Sequence, residues 1–157
     1  MKSGIIVGHM NNKGNEGCLI RTTESLGFNN VFVIGKKHNK YICSQGAERH
    51  VMFNVFKDED ALIKYFYLNN LSLVCIENTN NSKDINDITT YPVNPIFISG
   101  NENLGVSKKL ILNAKLCVKI PQGMGYVNCL NTAVAGSIVM YDFFSKQLKK
   151  RTQLWSK

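Results

Sequence analysis

Residues 115–144 constrain the fold more than any other stretch of the chain. The apolar run at 116–120 predicts a buried strand, and Pro121, which has no N–H to give, ends its ladder. Gly123 and Gly125 then allow a tight turn and a close approach of the backbone. From Leu130 the pattern becomes helical: Leu130, Val134, Ile138 and Tyr141 share one face, and Ala133, Met140 and Phe144 populate others. A helix apolar most of the way round must be buried on more than one side. Strand, glycine loop and helix in this order invite a nucleotide site, but a dinucleotide fingerprint needs Gly-x-Gly-x-x-Gly and an acidic residue about 20 residues on. Asn128 stands in place of the third glycine and no strand follows the helix in the sequence, so that reading is set aside. Spacing alone leaves an ordinary strand-to-helix turn.

The preceding chain alternates short apolar runs with helical patterns. Residues 5–7 predict a first strand between Gly4 and Gly8. A polar loop at 9–13 leads to a helix over 15–26, with Leu19, Thr23 and Leu26 on one stripe, Asn15 as N-cap and Gly27 just past the end. Arg21 projects from the face opposite Leu19, where an arginine is ordinarily a solvated surface residue. Residues 31–34 predict a second strand, 36–40 a basic turn, and 45–50 a loop or short helix. A helix over 58–67 has Asp58 and Glu59 in its first turn and ends at Asn69-Asn70. Residues 71–76 and 95–99 read as buried strands, with a polar connecting loop over 77–87. Strands alternating with helices predict an α/β fold with a mostly parallel sheet covered on both faces.

The 157 residues match one domain over 1–157, with no separate RNA-binding extension expected. With 44% hydrophobic and 19% charged residues the chain has the composition of a folded globular protein rather than a disordered one. The apolar helix is interrupted by Asn131, Thr132 and Asp142, so no membrane span is expected, and residues 1–8 are too poor in apolar residues for a secretory signal. A cytoplasmic location is therefore expected. Five scattered cysteines without a Cys-x-x-Cys spacing suggest neither a disulfide framework nor a zinc site, and most are expected to be buried. His9, His38 and His50 read as loop residues, and no metal is expected. A net charge of +8 favours a polyanionic partner, nucleic acid being the commonest. The basic clusters are 36–40, Lys108-Lys109, and Lys146 with Lys149, Lys150 and Arg151.

Three motifs occur in order. Asn15, Gly17, Arg21, Thr22 and Gly27 form the first; Gly100-Asn101-Glu102-Asn103-Leu104-Gly105-Val106-Ser107 the second. Ile120-Pro121, Gly125 and Cys129-Leu130-Asn131-Thr132-Ala133-Val134-Ala135 form the third. Together they resemble the signatures of the SpoU/TrmH RNA 2′-O-ribose methyltransferases, members of the knotted SPOUT group. The resemblance implies a deep C-terminal trefoil knot, which the general scarcity of knots would not predict. It also implies S-adenosylmethionine as methyl donor, a homodimer joined through the last helix, and RNA as acceptor, tRNA ranked above rRNA. By the same resemblance Arg21 is the catalytic arginine, with Asn15, Glu102 and Asn131 orienting the reacting groups. The donor would be held by Ser99, Gly100, Asn101, Leu104, Ile120, Gln122, Gly125, Cys129 and Leu130. One departure stands out: relatives usually carry serine where this chain has Cys129, and a thiol is a poorer hydrogen-bond partner than a hydroxyl. Two alternatives follow, a SPOUT-fold RNA-binding protein with weak or no turnover, and a SPOUT methyltransferase acting on a base.

Overall fold

A parallel sheet forms the spine of the computed structural model, which describes residues 2–123, 125, 126 and 129–155, the side chains of Arg151 and residues 153–155 excepted. Met124, inside the expected donor-binding stretch, Asn128 and the Arg151 side chain lie outside the described residues. The strands are β1 (Gly4–Val7), β2 (Asn30–Ile34), β3 (Met52–Phe56), β4 (Ser72–Ile76), β5 (Lys83–Asp84), β6 (Pro95–Ser99) and β7 (Leu116–Lys119). They lie in the order β3-β2-β1-β6-β4-β7-β5, and every pairing is parallel. The helices are α1 (Lys13–Ser25), α2 (Glu59–Leu68), α3 (Lys108–Asn113) and α4 (Thr132–Trp155).

The strand sequences read as continuous apolar runs because successive residues serve two cores. Ile5, Val7, Val31, Val33, Val74 and Phe97 face α1 and α4, packing on Leu19, Ile20, Met140 and Phe143. Their alternates Ile6, Phe32, Leu73, Cys75, Ile96 and Ile98 face α2 and α3, packing on Leu62, Phe66 and Leu110. Each such fully buried side chain contributes about 1.5–3 kcal/mol. α1 and α4 approach closely at Gly136, where a Cβ would stand 2.5 Å from Leu19 Cδ2.

Several expectations are corrected. Asn12, not Asn15, caps α1: its side chain accepts from the Gly14 N–H at 2.9 Å. Gly27 does follow the helix end, at φ 71°. The edge strand β3 was not expected, since exposed Met52 and Val55 and half-buried Asn54 break any two-residue alternation. The supposed loop over 77–87 contains β5 and a 3-10 turn, Ile85–Asp87, and α3 adds a short helix that only Ser107 announces, as its N-cap. Residues 45–50 do form the expected loop or short helix, a single 3-10 turn at Ala47–Arg49. Cysteine burial was misjudged most: Cys75 is buried, but Cys18, Cys43 and Cys129 are exposed. Among the described residues no helix is long and apolar enough to cross a membrane.

Candidate active site

The strand order creates a place for a ligand. From β1 the chain builds outward to β3, then crosses to β4 and fills the gap between with β6, so loops leaving β6, β4 and β7 open at the carboxyl ends of the strands near the switch in direction. A cavity of about 770 Å³ lies there, within the range of small-molecule sites. Of the residues expected to hold a donor, Ser99, Gly100, Asn101, Ile120, Gln122, Cys129 and Leu130 line it. Leu104 and Gly125 do not; the Leu104 side chain is 86% exposed. Glu102 and Asn131 line the cavity, whereas Asn15 and Arg21 do not.

The wall at 99–105 is held from both sides. Asn101 Nδ2 donates to the His9 carbonyl at 2.7 Å, and Asn101 Oδ1 accepts from the N–H groups of Asn103 and Leu104. The Glu102 carboxylate accepts from the backbone N–H groups of Asn11 and Asn12 and, at 2.6 Å, from Asn15 Nδ2. Partial burial raises the Glu102 pKa, but the donors from its own backbone, Asn11, Asn15 and Asn12 outweigh this and hold the carboxyl below the usual range. On the other side Glu77 Oε2 accepts from the Val106 N–H at 2.8 Å. A Cβ at Gly100 would stand 2.9 Å from that oxygen and one at Gly105, whose φ is 68°, only 2.6 Å, so both glycines are required by the carboxylate.

The third motif joins this wall through its asparagine. Asn131 Oδ1 caps α4, accepting from the N–H groups of Ala133 and Val134, and Asn131 Nδ2 donates to Asn15 Oδ1 at 3.1 Å. Asn131, Asn15 and Glu102 thus form one relay across three motifs. Next to it Ser99 Oγ donates to the Thr132 carbonyl and Thr132 Oγ1 to the Gly100 carbonyl. Arg21, about two turns beyond Asn15, is exposed and lies outside the cavity.

Residues absent from the sequence reading complete the site. Glu77, Asp84 and Lys119 bring charge to the cavity, and a carboxylate directly after a buried parallel strand could have marked Glu77. His9 Nε2 lies 2.8 Å from the Ser99 carbonyl, so this nitrogen carries the proton; burial lowers the ring's pKa despite that bond and nearby Glu16. No local signal marks His9, because its partner is distant in sequence.

Known proteins resemble this chain along most of its length. It is 31% identical over 139 residues to a tRNA (guanosine(18)-2′-O)-methyltransferase of Borreliella burgdorferi, covering 86% of this chain and 62% of that one. The chain spans about six-tenths of the length of the curated relatives it matches, 62% and 58% for two of them. Among solved structures, the A. aeolicus TrmH/SpoU tRNA modifying enzyme superposes with a TM-score of 0.80 at 21% identity, covering 95% of this chain and 77% of that one. The SpoU methyltransferase AviRb from Streptomyces viridochromogenes, in complex with the cofactor AdoMet, gives 0.79 at 21% identity, covering 93% and 60%. The fold is therefore that of SpoU methyltransferases. The SpoU rRNA methylase family matches residues 3–141, which take in all three motifs, and the chain belongs to that family.

Proposed function

We propose that this chain is an S-adenosylmethionine-dependent RNA 2′-O-ribose methyltransferase acting on tRNA as a homodimer. The observation that carries the proposal is the Asn131–Asn15–Glu102 relay, which ties all three motifs to one cavity at the strand ends. The cavity suits the donor in size and chemistry. Ile120, Leu130 and Ala135 offer apolar surface to a purine, while Glu77 and Asp84 place carboxylates where a sulfonium or ammonium cation gains from them. Ser99, Gly100, Asn101, Ile120, Gln122, Cys129 and Leu130 would hold it. When bound, S-adenosylmethionine supplies a methyl group already activated as an electrophile. AviRb, solved with AdoMet, supports the donor, and the Borreliella relative's name supports tRNA and the 2′-oxygen.

The chain's own residues align and polarise. Holding two reactants in line is worth effective molarities of about 10⁵–10⁸ M. Arg21 serves the acceptor as a guanidinium cation, gripping the adjoining phosphate and stabilising the developing alkoxide. Glu102, Asn15 and Asn131 orient these groups through their hydrogen bonds. Only RNA offers the 2′-hydroxyl, and the charge of +8 suits its backbone.

Arg21 needs a second copy to be useful. The expected apolar face of α4, Leu130, Val134, Ile138 and Tyr141, is 38%, 48%, 38% and 61% exposed. α1 runs alongside, Thr22 Oγ1 lying 2.9 Å from Ser137 Oγ. Burying that stripe against its copy would remove it from water and carry Arg21 toward the other cavity. The trefoil knot belongs to the same proposal, supported by β7 lying beyond β4 while α4 returns to pack over β6 and α1.

The test is to incubate the protein with labelled donor and separated tRNA and rRNA, then digest to nucleosides. Label on a 2′-O-methylated nucleoside from tRNA is expected; label on a base, or none, overturns the proposal. Arg21→Ala should lower single-turnover transfer about 10²–10³-fold with donor and RNA saturating.

A further inference from the structure

Outside the cavity, α1 and the 41–44 loop bring two exposed thiols together. Gly14 and Cys18 stand one turn apart on the same side of α1. The Cys43 sulfur lies 3.7 Å from where a side chain at Gly14 would begin, so it covers that side of the helix. The backbones approach just as closely, since a Cβ at Gly17 would stand 1.6 Å from the Ile42 carbonyl oxygen. At Gly14 and Gly17 the helix puts no side chain of its own between itself and the loop. The loop is anchored: Tyr41 is buried, and Ser44 Oγ donates to the Tyr41 carbonyl at 2.7 Å. Cys43 itself sits at φ 68°, a left-handed conformation that a cysteine keeps only when its surroundings impose it. Cys43 is the thiol that neighbours Cys18, and both are exposed.

We propose that Cys18 and Cys43 are an oxidation site, a dithiol that hydroperoxides convert to a disulfide joining α1 to the 41–44 loop. One thiolate attacks a peroxide oxygen and becomes a sulfenic acid, the other oxygen leaving as water. The second thiolate attacks that sulfur, the S–S bond forms, and hydroxide leaves and is protonated. Two electrons pass from the sulfurs to the peroxide, and hydrogen peroxide ends as two waters. Burial, then the neighbouring Cys43, push the Cys18 thiol up, which slows the reaction without blocking it, while Arg21 pulls the other way. The fold contains its own comparison: Cys75 and Cys117 are paired across β4 and β7, but Cys75 is buried and burial pushes its thiol far up, so this pair stays reduced.

The experiment is to treat the folded protein with hydrogen peroxide, denature it in N-ethylmaleimide and map the peptides. Expected is the loss of two of the five thiols, a Cys18–Cys43 cross-linked peptide restored to two thiols by dithiothreitol, and Cys75 and Cys117 alkylated. Cys43→Ser should leave Cys18 as a sulfenic acid that dimedone traps, and Cys18→Ser should do the same for Cys43. Recovery of both residues as alkylated thiols, as separate sulfenic acids in the unsubstituted protein, or in disulfides with other partners or between chains would overturn the proposal. None of these readouts depends on methyl transfer, so they stand or fall apart from the proposed function.

Discussion

The two walls of the cavity are built differently. The 99–105 turn is interlocked: its asparagine and glutamate side chains bond the β1–α1 loop, and Glu77 fills the space that side chains on Gly100 and Gly105 would need. The segment at 121–130 leads past Pro121 to the cap of α4, and among its described residues none hydrogen-bonds another described residue until Asn131 is reached. Pro121, Gln122, Gly123 and Cys129 are exposed, and a Cβ at Gly123 would meet nothing within 4 Å. The first wall is preorganised by the protein alone. Among its described residues the second presents exposed backbone groups that no described residue pairs, and a ligand with many polar atoms can engage such groups.

Removing the centre of the first wall should have the largest effect. Glu102→Ala leaves the N–H groups of Asn11 and Asn12 and the Asn15 amide without their acceptor. A displacement of about 1 Å at an aligned site costs on the order of 10²-fold, and that loss is expected in single-turnover transfer to RNA, with Glu102→Gln losing less. An alanine variant at wild-type rate would show that the relay positions nothing.

Paired glycine substitutions compare the walls directly. Gly105→Ala meets both a left-handed φ of 68° and the Glu77 carboxylate 2.6 Å away. A destabilisation of about 2 kcal/mol is expected, read as a fall in Tm of about 4–8 °C in calorimetry. Gly123→Ala, in open space at the other wall, should stay within about 0.5 kcal/mol of wild type. Equal effects would erase the distinction between the walls.

The first wall should also carry a pH signature. Burial holds the His9 pKa below its ordinary 6.5, with Glu16, Glu102 and Glu59 opposing the shift. Below that value the unfolded chain takes up a proton that the folded chain refuses, so stability is full above 6.5 and falls as pH drops toward the lowered folded value. The slope is at most about 1.4 kcal/mol per pH unit. His9→Gln should flatten it in denaturant titrations between pH 5 and 7, a window chosen around the ordinary histidine value.

These contrasts also separate what the sequence makes legible from what it hides. Strands buried on both faces, such as Pro95–Ser99 and Ser72–Ile76, announce themselves as unbroken apolar runs, and the three motifs fall on the turns that form the cavity. Local chemistry could not choose between Asn12-Lys13-Gly14 and Asn15-Glu16-Gly17 as the start of α1. The choice follows from Asn15 being engaged by Glu102 and Asn131, distant partners that no local window contains. His9 is hidden for the same reason, because it acts on Ser99, a residue brought near only by the parallel sheet, whereas Glu77 is marked by its place directly after a buried strand. Arg21 is the opposite case. Its motif marks it plainly, yet the chain leaves it exposed and outside the cavity, and only the proposed dimer would give it a use.

Cys129→Ser offers the smallest effect and tests the looser wall. Cys129 lines the cavity and is exposed, and none of the hydrogen bonds among described residues uses its thiol. If this wall works through its backbone, restoring the family's serine changes neither the path of the chain nor the groups offered to the donor. Donor affinity by calorimetry and single-turnover rate should then stay within about threefold of wild type, a difference of under about 1 kcal/mol. A rise in transfer beyond tenfold would mean that a hydroxyl is needed there. The thiol would then be what makes this chain a slow enzyme, and the reading of a SPOUT-fold RNA binder with weak turnover would gain over the one proposed.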